Sequence, residues 1–236
     1  MRSIKVLIAA PLKQEPHIFR EYQNALDALI LPEGVTVDRF FVVNDCDEVI
    51  PQIRGDYVVV NTGDFFERRE NDHYWTHQNL AKMHQLRNLT CQRALEGGYD
   101  YLFSVDTDLV LQPETLQTLL ETGKDIVSEL FWTNGWCNAW MHDQSAGMSV
   151  SWMTPGLYQV GMTGACILIS RRVLEAGVDY SAIPNIKNVL WGEDRHFCIR
   201  AACHGFEIWT DSHFQPEHLY TERAYQKFIA RRGGHA

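Results

Sequence analysis

Four acidic side chains in two pairs give this sequence its most suggestive chemistry. Asp106 and Asp108 flank Thr107 in "FSVDTDLVL", and Glu193 adjoins Asp194 in "WGEDRHF". The first pair stands between two apolar runs, so both carboxylates fall at the edge of a core. Neighbouring negative charges repel there and are poorly solvated. A divalent cation would remove that penalty. Mg²⁺ and Mn²⁺ suit carboxylate and phosphate oxygens and take only one or two protein carboxylates, so the pair reads as half of a site that a diphosphate would complete. The second pair opens a predicted helix beside Trp191 and Gly192. Acids in a first helical turn complement the macrodipole, and a carboxylate in an aromatic setting can also serve as a general base. The same D-x-D spacing recurs at Asp45-Cys46-Asp47, so spacing alone decides nothing. Either triplet can equally be a turn in which Asp accepts backbone N–H groups.

The elements that must position these residues follow from the hydrophobic pattern. Residues 4–10 form a continuous apolar run, which predicts a strand buried on both faces and ended by Pro11. Residues 19–31 have helical spacing and stop before Pro32 and Gly34. Strands are predicted over 37–43, 57–64, 101–105 and 125–130. The best helix by length and periodicity runs over 77–95, with Gly97-Gly98 as its stop, and a shorter one over 113–120. "GACILISRRVLEAG" reads as a strand into a helix, "GEDRHFCIRAACHGF" as a helix, "EIWTD" as a last strand, and "KFIARRGGHA" as a helix end and tail. This alternation predicts a single α/β domain with a mostly parallel, Rossmann-like sheet flanked by helices. Ligands of such sheets bind beyond the carboxyl ends of the strands. Pro11, Asn44-Asp45 and Asp106-Thr107-Asp108 are three strand ends that the fold can bring together. Between 132 and 163 no period is visible, yet Trp132, Trp136, Trp140 and Trp152 all fall there. Long irregular segments in compact domains are functional or disordered, and aromatic density argues against disorder.

The composition bounds the function. The 236 residues carry a formal net charge of -9, which argues against a nucleic-acid binder, because phosphate neutralisation needs clustered Lys and Arg. None of the six cysteines forms a C-x-x-C pair, so a zinc ribbon or thioredoxin-type site is not expected. Their apolar surroundings suggest buried thiols in a reducing, cytoplasmic setting. "MRSIKVLIAAPLKQEP" reads as a first strand rather than a signal peptide, and no stretch approaches the roughly 18 apolar residues of a membrane span.

Taken in order, these motifs resemble the GT-A fold glycosyltransferases, family 2-like, over about residues 4–220. "KVLIAAPLKQEP" is similar to the first strand, whose end lines the nucleotide pocket at Pro11. "RFFVVNDCDE" is similar to the second, whose terminal acid meets the nucleoside at Asp45. "LRNLTCQRALEGGYDYLFSVDTDLVLQPETL" resembles the Arg-Asn helix, at Arg87 and Asn88, followed by strand, D-x-D and Pro. "VGMTGACILISRRVLE" resembles the Gly-rich stretch before the acceptor-side helix, and "WGEDRHFCIRAACHGFEIWTDSHFQPEHL" the pattern that ends at His218. The segment 61–80 is longer and more polar than a minimal member would need, and the segment 132–163 has no counterpart. The resemblance divides the domain into a nucleotide-sugar-binding half at 1–130, an acceptor and catalytic half at 131–220, and a C-terminal helix and tail at 221–236. It implies a metal-dependent transfer of a sugar from a UDP- or GDP-linked donor to an acceptor, with inversion. Asp106, Asp108 and His218 would hold Mn²⁺ or Mg²⁺. Pro11, Asp45, Arg87, Asn88, Asp106 and Thr107 would bind the nucleotide-sugar, and Asp194 would take the acceptor proton, with Glu193 as the competing base. The tryptophans Trp132, Trp136, Trp140, Trp152 and Trp191 would stack on sugar or close over the site. The alternatives are a sugar-nucleotide nucleotidyltransferase, against which the glycine-free "AAPLKQEP" counts, and a non-catalytic nucleotide- or glycan-binding module, which would leave Glu193-Asp194 without a role.

Overall fold

The computed structural model describes residues 3–63, 68–69, 72–73, 77–140, 154–186 and 192–233. In chain order, β1 (Ile4–Leu12) leads through α1 (Pro16–Asp27) to β2 (Val35–Val43). A 3₁₀ turn over Asp47–Gln52 then precedes β3 (Asp56–Val59), β4 (Arg68–Arg69) and β5 (Asp72–His73). The long helix α2 (His77–Glu96) returns the chain to β6 (Tyr101–Ser104) and β7 (Leu109–Val110), followed by α3 (Thr115–Glu121) and β8 (Ile126–Glu129). The previously irregular stretch contains β9 (Trp132–Thr133), β10 (Trp136–Cys137), β11 (Ala139–Trp140), β12 (Leu157–Val160) and β13 (Met162–Thr163). The chain closes with β14 (Ile167–Ser170), α4 (Arg171–Glu175), α5 (Asp194–Cys203), β15 (Ile208–Asp211), β16 (Glu217–His218) and α6 (Glu222–Gly233).

Eight strands form the central sheet in the order β12-β15-β8-β14-β6-β1-β2-β3. The pairings β6-β1, β1-β2, β2-β3 and β15-β8 are parallel, whereas β14 runs antiparallel to both β6 and β8, and β12 antiparallel to β15. The mostly parallel sheet expected from strand–helix alternation is therefore interrupted at β14, which the chain enters from the Trp-rich stretch. Period-2 alternation along β1 sends Val6, Ile8, Ala10 and Leu12 to a core shared with α1, including Phe19 and Tyr22. Leu7 and Ala9 face the opposite core, with Tyr180 and with Phe197 of α5. Both faces of the sheet are thus covered, as continuous apolar strands require.

Pro11 does not end β1 as its chemistry suggests; it pairs with Val42 inside the strand. Asn44 N donates to Leu12 O on the β2 side and Val105 N to Ala9 O on the β6 side, so the odd-numbered residues of β1 address β6. That strand pairs with β1 only from Val6 to Ala9, and the missing N–H of Pro11 therefore costs no ladder bond. Helix α1 stops at Asp27, short of the expected 31, and α2 ends before Gly98, whose φ of 69° suits a helix stop. Cys46, Cys91, Cys137, Cys166 and Cys198 are buried free thiols, while Cys203 is exposed. None of the described helices is long and apolar enough to cross a membrane.

Candidate active site

The carboxyl ends of β1, β2 and β6 open on one cleft of about 710 Å³. Pro11, Asp45, Arg87, Asp106, Thr107, Asp108, Glu193, Asp194 and His218 all line it, together with Trp136 and Trp140. Residues as far apart in sequence as Pro11 and His218 therefore meet in one place.

Arg87 organises the middle of the cleft. It projects from α2 and is almost fully buried. Its Nη2 donates to Asp106 Oδ1 at 2.9 Å, its Nε to Glu193 Oε1 at 2.5 Å and its Nη1 to Ser104 Oγ at 3.2 Å. Its guanidinium also lies 5.6 Å from the Tyr180 ring centroid. The fork geometry of Arg suits such simultaneous recognition of carboxylates. Burial raises the pKa of the Asp106 carboxyl, Arg87 opposes this, and the charges of Asp108 and Glu193 add to it; the net direction is upward.

His218 reaches this group through a very short device. β16 pairs antiparallel with β7, His218 opposite Leu109, and Leu219 N donates to Asp108 O at 2.8 Å. The imidazole Nε2 then lies 3.3 Å from Asp108 Oδ2, and Nδ1 is 2.9 Å from Thr133 Oγ1. Burial disfavours the imidazolium, but the charge and hydrogen bond of Asp108 outweigh it and raise the His218 pKa.

Asp194 begins α5. Its pKa is raised well above the ordinary carboxylate value, first by burial and then by Glu193, against the pull of Arg87. Gly164 makes the space for it: a Cβ built there would lie 2.0 Å from Asp194 Oδ2. The next two residues, Ala165 and Cys166, have φ of 48° and 23°, a strained left-handed path that side chains rarely adopt. Sequence reading quoted this Gly-rich stretch without assigning Gly164, Ser104, Thr133 or Tyr180 any part in the site. Only the glycine carried a signal there, and its close approach to α5 is visible only in three dimensions.

Several expected residues fall elsewhere. Asn88 does not line the cleft; it accepts from Tyr180 N at 2.8 Å and donates to Ser181 Oγ at 2.9 Å, tying α2 to the segment after α4. This follows from helical geometry, since Arg87 and Asn88 are successive residues and point about 100° apart. Trp132 also turns from the cleft and donates its indole N–H to Gln215 Oε1. Trp152 and Trp191 lie outside the described residues. Asp45 lines the cleft, but its carboxylate is engaged locally, accepting from Thr62 N, Gly63 N and Thr62 Oγ1 at 2.8 to 3.0 Å. Trp136 stands on the β9–β10 hairpin, whose turn residues Asn134 and Gly135 have φ of 49° and 87°, and is 77 % exposed.

The donor chemistry of Asp106, Asp108 and His218, two carboxylates and an imidazole, suits a hard divalent ion, and such an ion would offset both the burial that chiefly raises Asp106 and the repulsion of Asp108 that adds to it. Among the described residues, however, no three His, Cys, Asp or Glu side chains stand together as a ready cluster; Asp106 is engaged by Arg87 and Asp108 by His218.

Known proteins share this architecture. S. aureus TarS, residues 1–349, aligns with 90 % of this chain at 15 % identity and a TM-score of 0.57. A mannosyltransferase from Pyrobaculum calidifontis, in complex with GDP-Man and Mn²⁺, aligns with 98 % at 14 % identity and 0.56. The alignments span 59 % and 61 % of those chains. A CMP:2-keto-3-deoxy-manno-octonic acid synthetase complexed with CTP covers the whole of both chains at 13 % identity and 0.51. In sequence, a procollagen galactosyltransferase 1-A from Xenopus laevis is 30 % identical over 79 residues, 31 % of this chain and 13 % of that protein. No protein-family profile matches. At these identities the solved structures establish the fold: it is the GT-A fold of the glycosyltransferases.

Proposed function

We propose that this chain is a metal-dependent glycosyltransferase that moves a sugar from a nucleotide-sugar donor, UDP- or GDP-linked, to an acceptor with inversion, Asp194 acting as general base. The observation that carries the reading is the convergence in one cleft of Asp106 and Asp108, His218, and the Arg87-tethered Glu193 next to Asp194. The mannosyltransferase with GDP-Man and Mn²⁺ supports the donor and metal classes.

Asp106, Asp108 and His218 would hold the divalent ion, which when bound would supply Lewis acidity toward a diphosphate leaving group. Arg87 fixes Asp106 and Glu193 in place. Glu193 is engaged by Arg87 Nε, whereas Asp194, whose pKa burial raises well above the ordinary carboxylate value, is the stronger base once ionised. In the reaction, the acceptor oxygen bonds to the anomeric carbon as the bond to the diphosphate oxygen breaks. The nucleoside diphosphate leaves with the electron pair and the acceptor proton passes to Asp194. Trp136 and Trp140 offer aromatic faces on which a sugar ring can stack.

The test is a panel of UDP-, GDP- and CMP-sugars with and without Mn²⁺, read by nucleotide release and thermal shift. Asp194→Asn is expected to lose transfer while nucleotide binding persists, and turnover of the parent to rise with pH along an acid limb above the ordinary carboxylate range, since the base must be ionised. Retained turnover in Asp194→Asn removes the base assignment, and nucleotide affinity indifferent to EDTA removes the metal. A second reading, sugar-nucleotide synthesis, draws support from the full-length likeness to the CTP-bound synthetase; pyrophosphate release from CTP would favour it over nucleoside diphosphate release from a nucleotide-sugar.

A further inference from the structure

β8 and β15 are adjacent parallel strands, and their last residues, Glu129 and Asp211, are directly paired. Both are buried, Glu129 completely. Side chains of paired residues lie together on one face of a sheet, so two carboxyl groups share a site from which water is excluded. Glu129 Oε1 accepts from Phe214 N at 3.0 Å. Its Oε2 is buried and lacks a partner of ordinary hydrogen-bond geometry among the described residues, and the carboxylate of Asp211 is the acceptor beside it. Asp211 accepts in turn from His213 N at 3.0 Å, and its Oδ2 is 2.9 Å from His213 Nδ1.

The turn that begins at Asp211 ends at His218. Along it, Phe214 N is held by Glu129, Ser212 Oγ accepts from Gly156 N at 3.0 Å, and Gln215 accepts from Trp132. Its last residue meets Asp108. The reaction proposed above gives Glu129 nothing to do.

We propose that Glu129 is a positioning residue for His218: its buried carboxyl shares one proton with Asp211 and, through Phe214 N, pins the turn that delivers the imidazole to Asp108. Burial, then the charge of Asp211, push the Glu129 pKa up to about 9, against the Phe214 N–H that favours the ionised form. At neutral pH the proton is therefore in place. The charged and titratable groups facing Glu129 are Asp211 on β15, His213 just beyond it and the Cys166 thiol before β14, behind which lies Asp106. Once the shared proton leaves, two negative charges adjoin in the interior beside the half-exposed His213. The ends of β8 and β15 must then separate, and the turn loses its anchor. The consequence for turnover rests on the glycosyltransferase reading; the coupling of Glu129 to His218 does not.

Glu129→Gln is the decisive variant. It keeps the shape, cannot ionise, and can donate to Asp211. The ring resonances of His218, assigned through His218→Gln, would be followed from neutral to alkaline pH in parent and variant, alongside the melting temperature and the Mn²⁺-dependent affinity for UDP and GDP. The parent is expected to show an inflection of the His218 signal near pH 9 that Glu129→Gln lacks. Because the folded pKa lies above the unfolded one, the parent loses stability as pH rises toward that value, and the variant loses correspondingly less. The nucleotide affinity of the parent would fall several-fold across the same step and that of the variant would hold. A His218 signal or a stability profile that titrates identically in both proteins overturns the proposal. Absence of nucleotide binding by the parent at every pH would instead sink the proposed function, while the His218 signal still decides the role of Glu129.

Discussion

Asp45-Cys46-Asp47 and Asp106-Thr107-Asp108 have the same spacing, follow strands of the same sheet and contribute to the same cleft, yet their charges are met in different ways. The first triplet is satisfied by its neighbourhood. Asp45 adopts a φ of 50° and takes its donors from Thr62 and Gly63, and Asp47 opens a 3₁₀ turn and accepts from Asn61. Burial alone would raise the Asp45 pKa; the hydrogen bonds of Thr62 and Gly63 prevail and hold it below the usual value. The second triplet is met by side chains from elsewhere in the chain, Arg87 and His218, and the Asp106 pKa is raised instead of lowered. Backbone dipoles complete a turn and leave little for a ligand to add. Two crowded carboxylates, held by Arg87 and His218 from other elements, remain a place where further positive charge is favourable.

The strongest way to break this contrast is to remove the cation on which the second triplet depends. Arg87→Ala leaves Asp106 and Glu193 facing each other near the core without a counter-charge. Breaking a buried ion pair from one side typically costs about 3–5 kcal/mol, and denaturant unfolding should read a loss of that order. A loss below about 1 kcal/mol, the level of a surface pair, would mean that the acids are neutralised by other means and that the contrast is weaker than the geometry indicates.

Activity offers a second separation. Asp108→Asn keeps the volume and removes the charge beside His218. Losing one electrostatic group aimed at developing charge costs roughly 10²–10³ in rate, so nucleotide-sugar turnover should fall by that order and Mn²⁺ should cease to tighten nucleotide binding. Asp45→Asn should alter turnover far less, because its carboxylate already serves Thr62 and Gly63. Equal losses in the two variants would put both triplets in the chemistry.

Most of the strands of the sheet's first half, the helices on its two faces and the aspartates at the end of β6 were legible in the sequence because they are written in local periodicity and in the polar residues that interrupt it. The antiparallel β14 was not, because its entry depends on the Trp-rich stretch, where two-residue ladders such as β11 with β13 leave no period to read. In the site, residue types were legible and partners were not. Arg87 and Asn88 look alike as a dipeptide, yet one reaches the cleft and the other clamps Tyr180 and Ser181. Nothing in "IVSELF" or "WTDSHF" announces a buried carboxyl pair, and Glu129 with Asp211 became visible only when β8 and β15 were seen side by side.

The smallest effect is also the one whose sign is most informative. Asp45→Asn keeps an oxygen for the Thr62 and Gly63 N–H groups but removes the charge and the second oxygen, which accepts from Thr62 Oγ1 and Asn44 Nδ2, a change worth about 1 kcal/mol. Since the folded pKa of Asp45 is depressed, its contribution is present above the unfolded value of about 3.9 and is lost as pH falls through the folded one. The gap in melting temperature between parent and Asp45→Asn should therefore be steady from neutral pH down to about pH 5 and close in stronger acid. Asp106→Asn must slope the other way. The folded pKa of Asp106 is raised, so ionisation costs the parent stability as pH rises through the window between the unfolded and folded values, and the uncharged variant gains on it there. Two variants with the same chemistry at the same motif position, giving melting-temperature gaps of opposite slope, would establish that one triplet is held by dipoles and the other by distant charge. Parallel slopes would show the two to be electrostatically alike.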